Sequence, residues 1–454
     1  MNVAVLGGGV TGLTAAWRLA AAGHTVRVLE ASPRVGGSVR TESADGWIVE
    51  AGPQSFQDAT PEIGSLIGEL GLGPERIGPS PEARNRYIVR NGAPFALPTP
   101  KDLAGLVSTP LFSFGTKLKI SGEVARSPRE RTTDVSVAVL VREHFGAEVL
   151  DKVVQPFVGG IYAGDAERLS ARYAFPKIWE AERTTGSLVR AAMEAAKGRR
   201  HPELNESSAL VSFRGGLQAL TDALAARLAP GSVALRAEVR SVERGPGAGW
   251  SVAWEGPEGP RSAPFDRVLC ALPAWSLARL SFGAAGEQAL SSLGEIEHPP
   301  VACVFAGFRR DQVRHPLDGF GVLVPAIEKR SVLGVVFSSS LFAGRTPPGH
   351  VGLTAFVGGA LQPKLALLPE AELVERVLGD LRDLLGAQGR PALVRHTLWP
   401  RAIPQYNLGH GRHLEAIAAF EGAHPGIFVG GNARDGISLS DCIMSGNALA
   451  QRAS

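Results

Sequence analysis

The chain has 454 residues, 44% of them hydrophobic and 20% charged, which is enough for two or three domains and argues against a disordered polymer. Its 47 Lys and Arg against 44 Asp and Glu leave a formal charge of +3, which gives no case for a nucleic-acid partner. Cys270, Cys303 and Cys442 are few, far apart and without a C-x-x-C pair, so neither a disulfide framework nor a cysteine zinc site is expected, and no metal.

In chain order, residues 3–6 (Val-Ala-Val-Leu) read as a strand buried on both faces. A glycine turn follows at residues 7–12, then a helix over 13–22 with Gly23 as its stop, and a second strand over 25–29 that ends at Glu30. The first strand begins at Asn2, which leaves no room for a signal or transit peptide, and a cytoplasmic protein is expected.

Asn91-Gly92 predicts a hairpin between strands 85–90 and 93–97, with Arg86, Ile88 and Arg90 on one face and Tyr87 and Val89 on the other. Residues 82–205 otherwise read as helical and rich in charge, with Lys117, Lys119, Arg126, Arg129, Arg131, Arg183, Arg190, Lys197, Arg199 and Arg200. A solvated helical surface and a basic, partly apolar face that rests on a membrane are both compatible with that pattern. From Ser207 the pattern returns to α/β, with a helix ending near Leu228 and strands over 233–235, 239–242, 250–254 and 267–271. Apolar runs at 301–308, 321–324, 333–337 and 353–357 predict a large antiparallel or mixed sheet, with a helix over 370–385 covering one face. The chain closes with strand 427–429, a glycine pair and a helix over 438–452.

Gly7, Gly9 and Gly12 lie between a strand and a helix, where a dinucleotide fingerprint works mechanically. The first allows the sharp turn, the second lets a pyrophosphate approach, and the third lets helix and strand pack closely. Glu30, 18 residues beyond Gly12, can accept two ribose hydroxyls. Arg34-Val35-Gly36-Gly37, with Ser38 and Thr41 beyond, and then Glu50-Ala51-Gly52-Pro53, suit a long cofactor that needs backbone contacts past its adenosine half.

These strings, together with Gly430-Gly431-Asn432 and Gly436-Ile437 near the other end, resemble the flavin-containing amine oxidase superfamily. Shorter strings narrow the resemblance. Residues 52–56 (G-P-Q-S-F), 85–87 (N-R-Y), 160–165 (G-I-Y-A-G-D), 213–217 (F-R-G-G-L), 319–325 (G-F-G-V-L-V-P), 357–359 (V-G-G), 403–410 (I-P-Q-Y-N-L-G-H) and 441–443 (D-C-I) occur in order. Over essentially the whole chain they are similar to the oxygen-dependent protoporphyrinogen oxidases.

The resemblance implies an α/β architecture of three parts. A Rossmann-like FAD-binding domain is assembled from 1–80, 206–290 and 395–454, an α-helical membrane-associated domain spans 82–205, and a mixed-sheet substrate domain covers 291–394 with part of 45–100. It also implies FAD as cofactor, a porphyrinogen oxidised to the porphyrin of haem synthesis, and O2 as acceptor with release of peroxide. Implied partners are a peripheral membrane surface, a second copy of the chain and a chelatase that takes the product. FAD contacts are expected at Gly7, Gly9, Val10, Thr11, Gly12, Glu30, Ala31, Arg34, Gly37, Ser38, Gly52, Pro53, Gln54, Ser55, Val239, Trp399, Gly431, Asn432 and Ile437, and the helix N-terminus near Ser438 is expected to support negative charge on the flavin.

A porphyrinogen is a broad apolar macrocycle with carboxylate tails, so its site needs a greasy slot and a cation. Arg86 is the expected cation, since guanidinium grips a carboxylate with two hydrogen bonds. By resemblance Gly160, Phe320, Leu323, Val336 and Phe356 line the slot. No side-chain base is expected, and His410 and Asp441 read as structural or as supports behind the site residues. Gln54 and Ser440 stand where the family often has Asn, which puts local geometry in question. A coproporphyrinogen enzyme would need more cations at the slot, and the sequence leaves Arg84, Arg90 and Lys177 unplaced. An amine oxidase or desaturase, and a flavin-binding docking module without turnover, share the same cofactor strings.

Overall fold

A computed structural model of the chain describes residues 1–58, 60–98, 109–196, 209–245, 247, 249–283 and 289–454. Lys197, Arg199, Arg200 and Ser207 lie outside them. A parallel sheet forms at the N-terminal end, with strands in the order Val233–Leu235, Thr25–Glu30, Asn2–Leu6, Arg267–Cys270 and Ile427–Val429. Numbered along the chain this order is 3-2-1-4-5, so the direction of winding reverses between the first strand and Arg267–Cys270. A doubly wound sheet offers a ligand crevice at that point, beyond the carboxyl ends of the strands. Val3, Ala4, Val5 and Leu6 are all fully buried, as the unbroken apolar run requires.

On one face of this sheet pack the helices Val10–Ala21, Gln218–Ala226 and Leu439–Ala453. The other face carries the strands Glu238–Arg244, Trp250–Gly256 and Gly259–Phe265, together with the helix Gly411–Ala423. The first helix starts at Val10, earlier than the apolar pattern indicates, because Gly9 serves as its N-cap and Gly12 fits inside its first turn. Gly23 ends it at φ +85°.

The second sheet has seven strands in the order Leu393–Trp399, Val301–Arg309, His350–Gly358, Val332–Val336, Gly319–Leu323, Asn85–Arg90 and Ala93–Ala96. It is mixed, because Gly319–Leu323 and Asn85–Arg90 run parallel and its other pairings are antiparallel. The hairpin, which sequence reading groups with the helical stretch 82–205, is therefore the margin of this sheet. Its turn has Asn91 at φ +52° and Gly92 at φ +77°, the two left-handed positions that a tight two-residue loop demands. At the opposite margin, Leu393–Trp399 runs across the boundary expected at 394/395. The helix Glu370–Leu385 covers one face through Leu373, Val377, Leu381, Leu384 and Leu385. Each such buried side chain contributes about 2 kcal/mol of transfer free energy.

Between residues 109 and 196 the chain is helical, with Ser113, Ser136 and Ser170 accepting from the amides of Thr116, Val139 and Tyr173 as N-caps. Among the described residues no helix is long and apolar enough to cross a membrane.

Candidate active site

The glycine turn stands at the winding reversal. Gly7 has φ +103°, and a Cβ there would lie 2.7 Å from the Ala271 carbonyl. A Cβ on Gly12 would fall 2.0 Å from the Gly7 carbonyl, so helix and turn touch backbone to backbone. Gly9 faces open space, and the helix behind it has neither a side-chain cap nor an acidic residue in its first turn. Its free N–H groups at Val10, Thr11 and Gly12 thus point out of the turn.

Glu30 ends the neighbouring strand. Its Oε2 accepts the Gly8 N–H at 2.6 Å and its Oε1 accepts the Ser32 N–H at 2.8 Å, which fixes the carboxylate at the rim. The second glycine pair folds over the first turn through Gly36 N–H to the Gly8 carbonyl at 2.8 Å. Arg34 donates to the carbonyls of Val35, Gly37 and Val39, so its guanidinium braces its own loop. Ala31, Gly37 and Ser38 are exposed beside it. Val239 is half-buried, two residues beyond Ala237, whose N–H donates to the Glu30 carbonyl at 2.8 Å.

Residues 52–55 form the next wall. A Cβ on Gly52 would lie 2.1 Å from the Ser38 carbonyl and 3.8 Å from the Trp399 ring, whose Nε1 donates to the Ala51 carbonyl at 2.7 Å. Pro53 and Ser55 are half-buried there. The Gln54 amide turns back on its own loop, donating to the carbonyls of Glu50 (3.2 Å) and Gly52 (3.1 Å). The other departure from the family string, Ser440, donates to the Gln57 carbonyl at 2.6 Å and accepts the Gln57 N–H, clipping the strand Phe56–Asp58 to the last helix.

The two ends of the chain meet at this place. Thr11 Oγ1 donates to the Cys442 carbonyl at 3.1 Å, Arg18 Nε donates to Asn447 Oδ1 at 2.9 Å, and a Cβ on Gly431 would lie 3.9 Å from Thr11 Oγ1. Gly431 is buried, with Asn432 and Ile437 half-buried in the same turn. The final helix corrects one expectation. Its N-terminus is closed by a reciprocal Ser438–Asp441 capping box with an acidic first turn, so its positive end is already partnered. The uncapped N-terminus belongs to Val10–Ala21.

The large sheet presents the remaining expected residues. Tyr87, Val322, Val335 and Ala355 enter the core beneath the helix Glu370–Leu385. Strand alternation places Arg86, Leu323, Val336 and Phe356 on the opposite face. An irregular register between Gly319 and Val322 brings Phe320 under Arg86, whose guanidinium carbon lies 6.0 Å from the ring centre. Arg86 is exposed, and Phe320, Leu323, Val336 and Phe356 are half-buried. The helix Gln155–Tyr162 crosses this face so closely that a Cβ on Gly160 would stand 2.4 Å from Leu323 Cδ2. Arg90 shares the strand face of Arg86 and lies 5.9 Å from the Phe95 ring centre. Arg84 donates to the Pro81 carbonyl, and Lys177 is exposed on the helix Pro176–Thr185.

A small crevice lies between the two walls, lined by Ile48, Glu50, Gln54, Val336, Ser338, Leu341, Phe342 and Arg345. Sequence reading assigns nothing to Arg345, a lone cation in a glycine-rich loop. It is 2% exposed, donates to Ser212 and faces Glu50 at 3.7 Å. Burial holds the Glu50 carboxyl above its ordinary pKa against the pull of Arg345 and of its hydrogen bonds from Thr41 and Leu217.

His410 is buried and stacks on Tyr406 at 4.1 Å and 19°. Burial and neighbouring His413 push its pKa down to about 4, so it is a neutral packing element near pH 7. Asp441 serves as the helix cap described above.

The model of the family described as flavin containing amine oxidoreductase matches residues 10–454. The chain belongs to that family. Protoporphyrinogen oxidase 2 of Arabidopsis thaliana is 35% identical over 98% of this chain and 92% of its own length. Coproporphyrinogen III oxidase of Bacillus subtilis (strain 168) is 27% identical over 98% of this chain and 96% of its own length. A crystal structure from Exiguobacterium sp. 255-15 superposes with a TM-score of 0.83 at 24% identity, covering 99% of this chain and 98% of that one.

As a flavin containing amine oxidoreductase, the chain is an FAD-dependent oxidoreductase. Its residues fit that cofactor. The uncapped helix N-terminus and the open side of Gly9 suit a diphosphate, and the fixed Glu30 carboxylate keeps lone pairs for ribose hydroxyls.

Proposed function

We propose that the chain oxidises protoporphyrinogen IX to protoporphyrin IX, with O2 as electron acceptor and H2O2 as by-product, in porphyrin and haem synthesis. The observation that carries this reading is the shared sheet face, an apolar floor of Leu323, Val336 and Phe356 that ends at the Phe320–Arg86 pair. Such a floor suits a macrocycle whose only charges are its propionates. The name of the Arabidopsis relative supports it.

Bound FAD supplies the two-electron acceptor. The side chains hold and orient: Arg86 takes a propionate, the apolar floor and Gly160 set the plane of the ring and exclude water, and residues 52–54 close the slot. The cofactor rests on Gly7, Gly9, Val10, Thr11, Gly12, Glu30, Ala31, Gly37, Ser38, Gly52, Pro53, Ser55, Val239, Trp399, Gly431, Asn432 and Ile437, with Arg34 and Gln54 shaping their loops. No side-chain base is assigned, and the pyrrole proton leaves to water or to a carboxylate. The protein's share of catalysis is placement.

Oxidation of coproporphyrinogen III to coproporphyrin III is the second reading. It is favoured by the Bacillus relative and by Arg90, a further cation on the strand face of Arg86. A porphyrin-fluorescence time course on each purified porphyrinogen, in air and then under argon, decides between them. Faster turnover of protoporphyrinogen, dependent on air, supports the first reading. Faster coproporphyrinogen turnover overturns it in favour of the second, and a yellow protein with no turnover of either overturns both.

The helical stretch 109–196 is the part that rests on a membrane in this reading, from the cytoplasmic side. Phe114 and Leu118, one helical turn apart, are 82% and 65% exposed, and Phe157 and Ile161 repeat the pattern on a second helix. A homodimer and transfer of the apolar product to a chelatase extend the same reading. Loss of liposome flotation in Phe114→Ser/Leu118→Ser, with turnover in detergent retained, tests the membrane contact, and unchanged flotation overturns it.

A further inference from the structure

Tyr406 is 4% exposed, and its hydroxyl joins two backbone groups of one turn. It donates to the Asn432 carbonyl at 2.6 Å and accepts the Gly436 N–H at 3.0 Å. That turn leaves the strand Ile427–Val429 and carries Gly431, Asn432 and Ile437. From its other side it is held by Ser445 and Asp435, which accept the Gly431 N–H at 2.8 and 3.1 Å.

The phenol is itself anchored from behind. The Tyr406 carbonyl accepts the Ser170 N–H at 2.8 Å, while the stacked His410 ring makes no hydrogen bond to the phenol. Gln405 Nε2 donates to the carbonyl of Tyr162 at 2.8 Å, at the end of the helix that carries Gly160. Asn407 makes a β-bridge with Leu169. Residues 403–410 thus form a strap from the Gly160 helix to the turn at 431–437.

We propose that Tyr406 is a positioning residue, whose hydroxyl fixes the turn at 431–437 and so the seating of the flavin, in register with the Gly160 helix. The inference rests on the reading of that turn as the second flavin segment. A buried hydroxyl that donates and accepts at once leaves two stranded backbone groups when it is removed, and the turn then relaxes to satisfy them. Burial raises the phenol's pKa, so the O–H donor is retained throughout the working pH range.

The test compares holoenzymes of wild type, Tyr406→Phe and His410→Phe. The first change deletes one oxygen, and the second disturbs the same core while leaving the hydroxyl in place. Flavin release is followed by recovered fluorescence on dilution into FAD-free buffer, and flavin seating by visible circular dichroism. Tyr406→Phe is expected to release flavin about tenfold faster and to alter the visible spectrum. His410→Phe is expected to match wild type in both. A Tyr406→Phe protein identical to wild type, or equal shifts in both variants, would overturn the proposal. Should Tyr406→Phe not fold, wild-type holoenzyme decides through amide exchange: a protected Gly436 amide supports the contact, and exchange as fast as in an exposed turn overturns it. A wild-type protein without bound FAD would instead overturn the reading of the turn, and this inference with it.

Discussion

The guanidinium of Arg86 lies 6.0 Å from the ring centre of Phe320, on neighbouring parallel strands whose register is broken between Gly319 and Val322. The irregularity turns a charge and an aromatic face toward the same place at the edge of an apolar floor. Arg86→Ala should leave the bound-flavin spectrum intact and lower kcat/KM for the porphyrinogen by about 2 kcal/mol, near thirtyfold. Steady-state kinetics beside an absorbance spectrum checks it. Equal kcat/KM would remove Arg86 as the carboxylate anchor.

In the proposed reading Gly160 borders the slot. Its missing Cβ leaves room that the Leu323 methyl occupies. In Gly160→Ala the methyl has to swing away, and helix propensity gains about 1 kcal/mol, so thermal stability should hold while KM rises severalfold. A melting curve and a substrate titration separate the two effects. An unchanged KM would mean that the substrate does not reach this contact.

Glu30→Gln tests the nucleotide end. The amide keeps the size of the side chain but surrenders the charged acceptor for Gly8, Ser32 and a ribose. FAD affinity should fall by about 2 kcal/mol, with kcat recovered at saturating FAD. Isothermal titration of FAD measures this directly, and wild-type affinity would contradict the assignment.

The helical region holds a buried charge cluster whose pH response has a definite sign. His144 donates toward Glu123 at 2.7 Å and faces Glu182 at 3.1 Å, and Glu182 is paired with Arg131, which also meets Glu143. Burial alone would lower the His144 pKa, but hydrogen bonds to Glu123 and Glu182 raise it above 6.5 despite the nearby charge of Arg126. Burial likewise works to raise Glu182, and the bonds from His144 and Arg131 outweigh it, down to about 2. Glu123 is lowered in the same way. The histidine's contribution is therefore complete below pH 6.5 and is lost as pH rises through its folded value. The carboxylates' contribution is present above pH 4.5 and is lost in acid. Tm should peak between those limits and decline on the alkaline side. His144→Gln should flatten the alkaline decline, and an unaltered profile would contradict the assignment.

That cluster also shows where sequence reading stops. Glu123, Arg131 and Glu182 sit in a charge-rich stretch indistinguishable from a solvated surface, yet Arg131 and Glu182 are 5% and 2% exposed and stand 51 residues apart in the chain. Pairing at such a separation is set by tertiary packing, which no local pattern encodes. The Glu50–Arg345 pair was hidden for the same reason. Elements with a strong local signal were legible: the Asn91-Gly92 turn, the helix Glu370–Leu385 with its apolar stripe, and the glycine turn after residues 3–6. The strands Phe56–Asp58, Arg76–Ile77 and Ala209–Phe213, which pair with one another in a small sheet, were not read from the sequence. The site residues were proposed from family strings, whereas the work of Tyr406 depends on where its hydroxyl points.

The order of strands in the parallel sheet has a biosynthetic consequence. Its outermost strand, Ile427–Val429, pairs with Arg267–Cys270, and the helix that clamps Val10–Ala21 comes later still. A nascent chain emerging from the ribosome cannot complete the nucleotide cradle until the helix Leu439–Ala453 has been translated. Flavin capture is then a late assembly event, and a truncation that removes only the C-terminal helix would abolish it however well the preceding segments fold.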